Sequence, residues 1–331
     1  MRAVVVEKFG SIEGLGVLTV PDPVPRPGEI VIAVEAAGVS YADMLVIEGK
    51  YQNLPAAPFV PGKEVAGTVV AVGPDVSGLA EGDRVLAFVD GGGYAERAVA
   101  PAGMCFRLPP RMPFDVAAAM GISYQTAWMA LVGRAVCREG EVVLVNGASG
   151  GVGLAAVDLA TALGAKVVAG LTTPAKADAA RAAGAAHIVD LSAANLRDSL
   201  RAQLTGGTGG RLADVVVDPV GGEVFEASLR ALAWEGRLVV VGFTSGEVPA
   251  VRTNYLLIKN IAVTGLFWNT YRQNAPETIT AAQRSLFRLY EEGRLRPRVM
   301  RRFPLDRASE ALCAIRDRQV SGRVVLVPSA T

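Results

Sequence analysis

Over the first 110 or so residues, short apolar runs at 3–6, 29–34, 67–72 and 84–88 alternate with turn-rich stretches. Pro21-Asp22-Pro23, Arg26-Pro27-Gly28 and Gly73-Pro74-Asp75 are examples. Runs of this length bounded by Pro, Gly and Asp read as strands. A spacing of about ten to twenty residues between them predicts a compact, barrel-like β domain. Only one short helix, at 41–48, is expected before Pro113.

At residue 114 the rhythm changes. An Ala-rich helical segment at 114–131 is followed by strands at 142–146, 166–170, 187–190, 213–218 and 237–242. Helices at 152–163, 175–183, 195–204 and 223–233 alternate with them, and 261–266 reads as a further strand. Continuous Val-rich strands between amphipathic helices predict a parallel sheet covered on both faces. A helix from 276 to 292 and strands at 298–303 and 323–327 follow, and these last strands are expected to return to the β domain. The fold class is therefore α/β, in three stretches: a β domain at 1–122, a parallel-sheet domain at 123–268, and a returning segment at 269–331.

Length agrees, since 331 residues at roughly 150 per domain give about two domains. A composition 51% hydrophobic and 20% charged excludes a disordered chain. The net charge of +1 leaves no electrostatic footprint for nucleic acid or an anionic membrane, so neither is expected as a partner. The uncharged run 116–133 has a polar middle in Gly121, Ser123, Tyr124, Gln125 and Thr126, which fits a buried helix better than a membrane span. Cys105, Cys137 and Cys313 are too far apart for a disulfide framework or a zinc site. With no signal segment to be read, a reducing cytoplasm is the expected compartment.

The chemistry starts where strand 142–146 runs into Gly147-Ala148-Ser149-Gly150-Gly151-Val152-Gly153 and then a helix. Glycines at such a turn let the backbone approach a pyrophosphate, while the helix N-terminus supplies N–H groups and positive dipole. The spacing is G-x-x-G-G-x-G rather than the usual dinucleotide fingerprint; the alternative is a tight turn that binds nothing. About 20 residues on, an NAD site places an acid for the ribose hydroxyls. This chain has Thr172, Thr173 and Lys176 there, two hydroxyls and a cation suited to a 2′-phosphate, which points to NADP(H).

Further segments carry a resemblance. They are Gly38-Val39-Ser40-Tyr41-Ala42-Asp43, Pro61-Gly62-Lys63-Glu64-Val65-Ala66-Gly67, Gly82-Asp83-Arg84-Val85, the glycine loop, Val241-Gly242-Phe243 and Ser321-Gly322-Arg323-Val324. Together they resemble a zinc-free medium-chain dehydrogenase/reductase of the NADPH:quinone oxidoreductase branch. The resemblance implies a GroES-like β-barrel domain beside a Rossmann-type domain. Zinc-dependent relatives carry Cys where Ser40 stands and His where Lys63 stands. A hydroxyl and an ammonium are poor zinc ligands, so no metal is expected.

The resemblance also implies hydride transfer from NADPH to a quinone or enone. The cofactor contacts it suggests are Ser40, Gln125, Thr126, Ala148, Ser149, Gly150, Gly151, Val152, Thr172, Thr173, Lys176, Gly242, Phe243, Phe267, Trp268 and Arg318. Gln125 and Thr126 would lie near the nicotinamide, with Phe243, Phe267 and Trp268 walling the channel. Leu191 replaces a tyrosine often found near the 2′-phosphate. Tyr41, Tyr51 and Tyr124 carry hydroxyls for an acceptor pocket, while Asp43 and Glu64 read as structural and the sole histidine, His187, as a rim or core residue. Alternatives within the resemblance are an enoyl-thioester reductase and a non-catalytic NADPH-binding protein of structural or RNA-binding role. The uncharged run 260–268 predicts an edge strand pairing two copies into a homodimer.

Overall fold

The computed structural model describes residues 1–328. The chain forms two compact units, one from residues 1–122 and the chain beyond 296, the other from Ser123–Arg296. Residues 269–296 therefore belong to the second unit, which corrects the expected boundary at 268. The reason is local: helix Pro276–Glu291 buries Ile279, Ala282, Leu286 and Leu289 along one face. That face receives hydrogen bonds from Gln125 of the same unit.

In the first unit a seven-stranded sheet runs in the order Val299–Pro304, Arg323–Val327, Glu29–Val39, Glu64–Val72, Arg84–Phe88, Cys105–Arg107, with Arg97–Pro101 also paired to Glu29–Val39. The first two strands are parallel and the other pairings antiparallel. The returning strand Arg323–Val327 thus pairs with a strand formed almost 300 residues earlier, through Val324 opposite Val39. Ile30, Ile32, Phe88, Tyr94 and Phe303 fill the core. Strands Gly16–Thr19, Arg97–Pro101 and Cys105–Arg107 were not foreseen, being short or weakly apolar.

The second unit holds six parallel strands in the order His187–Asp190, Lys166–Leu171, Val142–Asn146, Ala213–Asp218, Leu232–Val240, Ala262–Gly265. Numbered along the chain this is 3-2-1-4-5-6, the doubly wound order whose direction reverses between the first and fourth strands. Ligand crevices in such sheets open outside the C-terminal strand ends at that reversal. Helices Gly151–Ala162, Leu196–Thr208 and Gly222–Ala231 cover the sheet. The expected strand 237–242 is longer, Leu232–Val240, and its ladder breaks register across the left-handed Glu235. Ala262–Gly265 is the sheet's edge.

The segment expected as one helix at 114–131 is less regular. Helix Phe114–Trp128 contains a non-helical Gly121 and continues into a π-helical turn, Met129–Arg134. No helix among the described residues is long and apolar enough to cross a membrane.

Candidate functional site

The parallel sheet brings five sequence-separated segments to one end. Strand Val142–Asn146 is wholly buried and delivers the chain to Gly147, whose φ is +58°. Ala148 N–H donates to the Gly170 carbonyl of the neighbouring strand at 3.1 Å. A Cβ on Gly153 would lie 2.1 Å from the Gly147 carbonyl oxygen, so only glycine lets helix Gly151–Ala162 start this close to the turn. Gly150 caps that helix with no side-chain bond, which leaves the first-turn N–H groups of Gly151 and Val152 turned to whatever lies beyond the helix end. The glycines therefore form a tight strand-to-helix turn with the helix start left uncapped by any side chain.

A buried polar lock holds the loop after the fourth strand beside the glycine turn. Asn146 Nδ2 donates to Asp218 Oδ1 at 3.0 Å and to Ser228 Oγ at 2.9 Å. Asp218 in turn accepts the N–H groups of Val220 and Gly221. Burial pushes the Asp218 carboxyl up; the Asn146 amide and the loop N–H groups pull it back. This pair spans the strand-order reversal, and the sequence reading missed both members. The only signal was polarity at the last position of two Val-rich strands.

Asn146 pairs in register with Gly170, so Thr172 and Thr173 leave the sheet at the same end as the glycine loop. Both are exposed, and Thr173 makes no capping hydrogen bond to the turn Pro174–Lys176 that follows. Lys176 is half-buried at the end of that turn. Leu191 is buried, and a Cβ on Gly170 would touch its side chain. Asp218 pairs with Val240 and Val240 with Gly265, so Gly242, Phe243, Phe267 and Trp268 also follow the C-terminal strand ends. Phe243 and Phe267 are partly exposed, whereas Trp268 is buried at the start of helix Trp268–Asn274. His187 lies exposed at the opposite end of the sheet.

Two expectations are corrected. Tyr124 is buried and its hydroxyl donates to Asp158 Oδ2 at 2.6 Å, so it is not available to an acceptor. Gln125 is fully buried, and its Nε2 donates to the Ile279 carbonyl and to Gln283 Oε1, both at 3.0 Å. Its amide therefore ties two helices together instead of facing a ligand. Thr126, next to it, is buried as well. Polar residues within an apolar helix can serve the core as readily as a site, and the sequence did not separate the two.

In the first unit, Ser40 caps helix Tyr41–Ile47 in a reciprocal box with Asp43. Asp43 Oδ2 accepts from Ser40 N–H at 2.8 Å, Ser40 Oγ at 2.7 Å and Tyr94 Oη at 3.0 Å. Burial pushes the Asp43 carboxyl up, opposed by these donors and by the charge of Lys63. Lys63 Nζ stands over the ring of Tyr51, 5.1 Å from its centroid. Burial and then the Asp43 charge push the Tyr51 phenol up, so it is protonated at neutral pH. Tyr41 is half-buried at the first position of the helix. Tyr94 is the member that reasoning from sequence did not place here; it sits in no periodic pattern.

Glu64, the next residue, is structural as expected. It is buried in an ion pair with Arg323 and accepts Ile122 N–H at 2.5 Å. Arg318 follows helix Ala308–Arg316, exposed and in a left-handed conformation at φ +54°.

Known proteins match this arrangement along almost its whole length. An alcohol dehydrogenase GroES-like domain matches residues 26–110 and a zinc-binding dehydrogenase domain residues 151–284. A quinone oxidoreductase-like protein 2 homolog from Nematostella vectensis is 38% identical, over 98% of this chain and 86% of that protein. The mycobacterial protein Rv1454c, solved with NADPH, superposes with a TM-score of 0.91 at 33% identity, covering 99% of this chain and 100% of that one. An Escherichia coli quinone oxidoreductase, also solved with NADPH, gives 0.89 at 30% identity with the same coverage.

Proposed function

Because the chain belongs to the medium-chain dehydrogenase/reductase family, in its quinone oxidoreductase branch, we propose that it is an NADPH-dependent reductase of a quinone or related conjugated carbonyl. The carrying observation is the C-terminal end of the parallel sheet. There a glycine cradle stands beside a strand end that offers Thr172, Thr173 and Lys176 and no acid. The residues fit the cofactor. The first turn of helix Gly151–Ala162 and Gly147 take the pyrophosphate, with Ala148 and Ser149 along the same turn. Thr172, Thr173 and Lys176 take the 2′-phosphate. Gly242 lets the chain pass close by, while Phe243, Phe267 and Trp268 keep water from the ring. When bound, NADPH supplies the hydride.

Zinc-binding relatives imply a metal, and the donor set here does not fit one. Among the described residues no group of three or more His, Cys, Asp or Glu comes together. Ser40 is engaged in its helix cap, and Lys63 brings a positive charge. No step of the reaction is assigned to a metal.

The acceptor side is assigned to the first unit, around Tyr41 and Tyr51. Two copies are proposed to pair along the edge strand Ala262–Gly265, next to the exposed Leu257 and Ile258. Oxidation of NADPH by the purified protein against quinones, enones and enoyl thioesters tests the whole reading. Turnover with quinones or enones supports it, and a preference for thioesters moves the substrate class. Tight NADPH binding without turnover of any of them overturns it in favour of a binding protein.

A further inference from the structure

Asp218 is wholly buried, and the groups that bond its carboxylate are all N–H donors: the Asn146 amide and the peptide N–H groups of Val220 and Gly221. No Lys or Arg stands among the groups that offset its burial. Asn146 is equally buried. Its Nδ2 donates to both Asp218 and Ser228, and its Oδ1 is left without a hydrogen-bond partner among the described residues. Buried charges are ordinarily paired with a cation, and buried acceptors ordinarily meet a donor. Departures of this kind gather where a fold serves its ligand.

Asn146 and Asp218 are the last residues of the first and fourth strands of the parallel sheet. In a doubly wound sheet the first three strands carry one mononucleotide half of a dinucleotide, and the last three carry the other. With Thr172, Thr173 and Lys176 at the second strand end, the adenosine half falls to the first set and the nicotinamide half to the second. The Asn146–Asp218 bond therefore ties one half to the other.

The loop that Asp218 holds reaches both halves. A Cβ on Gly147 would lie 3.1 Å from Val220 Cγ2, so Val220 packs on the glycine turn. A Cβ on Gly221 would lie 3.0 Å from the ring of Phe243. The carbonyls of Asp218, Pro219 and Val220 accept the N–H groups of Val241, Thr244 and Ser245 at 2.8, 3.0 and 3.0 Å. Gly221 and Gly222, both at positive φ, give the loop no stiffness of its own. All of these residues lie within the second unit.

We propose that Asp218, with Asn146, is a positioning residue for the cofactor, fixing the distance between the glycine turn that takes the pyrophosphate and the Phe243 loop that receives the nicotinamide half; this rests on the cofactor placement proposed above. The carboxylate acts through the loop and touches no reacting atom. A group that only accepts is required there, because N–H donors converge on it from both strands.

Asp218→Asn keeps the shape and turns an NH₂ group toward those donors. Two ligands separate positioning from folding: NADPH, followed by fluorescence, and adenosine 2′,5′-bisphosphate, which has the 2′-phosphate half and no nicotinamide, followed by calorimetry. Asp218→Asn should bind NADPH about tenfold more weakly, the scale of one charged hydrogen bond, and the bisphosphate as tightly as native protein does. A general loosening of the unit would weaken both alike; that result overturns the proposal, and so does unchanged NADPH affinity. Combining Asn146→Asp with Asp218→Asn restores an acceptor facing an amide across the two strands and should recover most of the lost NADPH affinity. A combined variant that folds, by circular dichroism, yet binds NADPH no better than Asp218→Asn also overturns it. If native protein binds neither ligand, the cofactor placement itself fails and the proposal falls with it.

Discussion

Tyr124 and Asp158 are joined by a buried 2.6 Å hydrogen bond, and the same carboxylate accepts Arg296 N–H at 2.9 Å. Tyr124 lies just after the chain enters the second unit, and Arg296 is the last residue before it leaves. Asp158 sits on helix Gly151–Ala162, which starts at the glycine turn. One carboxylate therefore fastens both connections of this unit to the helix that follows the glycine turn. Removing the phenol in Tyr124→Phe should cost about 1–3 kcal/mol, the penalty for a buried group losing its partner. Because this hydroxyl is proposed to have no part in the reaction, acceptor KM should stay unchanged. Urea unfolding and steady-state kinetics check the two halves.

The same carboxyl carries a pH signature. Burial raises its pKa in the folded protein, more than Tyr124 and Arg296 lower it. A carboxyl raised on folding binds more protons folded than unfolded between the two pKa values, so its contribution to stability falls as pH rises through that window. Native protein should accordingly gain on Asp158→Asn as pH drops from neutrality toward the ordinary carboxylate range. Unfolding midpoints of the pair at several pH values measure this; a native stability that rises relative to Asp158→Asn with rising pH would contradict it.

Gly153→Ala should be severe. Its Cβ would meet the Gly147 carbonyl oxygen at 2.1 Å and Ala148 Cα at 2.8 Å, both backbone atoms that cannot swing aside. Overpacking of this kind costs about 1–3 kcal/mol, and here it also pushes the helix away from the glycine turn. Calorimetry should show a lower Tm, and fluorescence titration a loss of NADPH binding larger than the stability change alone produces.

Cofactor preference follows from the second strand end. With Thr172, Thr173 and Lys176 and no carboxylate, NADPH should bind more tightly than NADH. Lys176→Ala removes one charge-assisted contact worth about 1.5–3 kcal/mol, so NADPH affinity should fall about tenfold or more with NADH little affected. Equal affinities in the native protein would refute the assignment.

Pairing of copies is checked at Val263. It lies in the edge strand, whose neighbours Leu257 and Ile258 are 79% and 74% exposed. Proline there deletes a ladder donor and should shift a dimer toward monomer in sedimentation velocity. A native monomer at micromolar concentration would dispose of the interface.

Much of this was legible because it rests on local patterns. The alternation of Val-rich strands and amphipathic helices gives the parallel sheet, and Gly147 to Gly153 announce the tight strand-to-helix turn through a backbone need that glycine alone meets. What stayed hidden depends on partners far along the chain. Gln125 reads as a site residue until Gln283 and Ile279 are seen to hold it. Tyr94 looks like loop filler, yet it is buried against Asp43, 51 residues away.

The ion pair of Glu64 with Arg323 has a consequence for the order in which the molecule is made. Glu64 is buried, and burying one partner without the other costs about 3–5 kcal/mol. Strand Glu29–Val39 likewise waits for Arg323–Val327. During synthesis, residues 123–296 emerge complete and can fold as a unit. The first unit, although translated first, must stay unfinished with its apolar strands open until Arg323 leaves the ribosome. The part of the chain made earliest is therefore the part completed last.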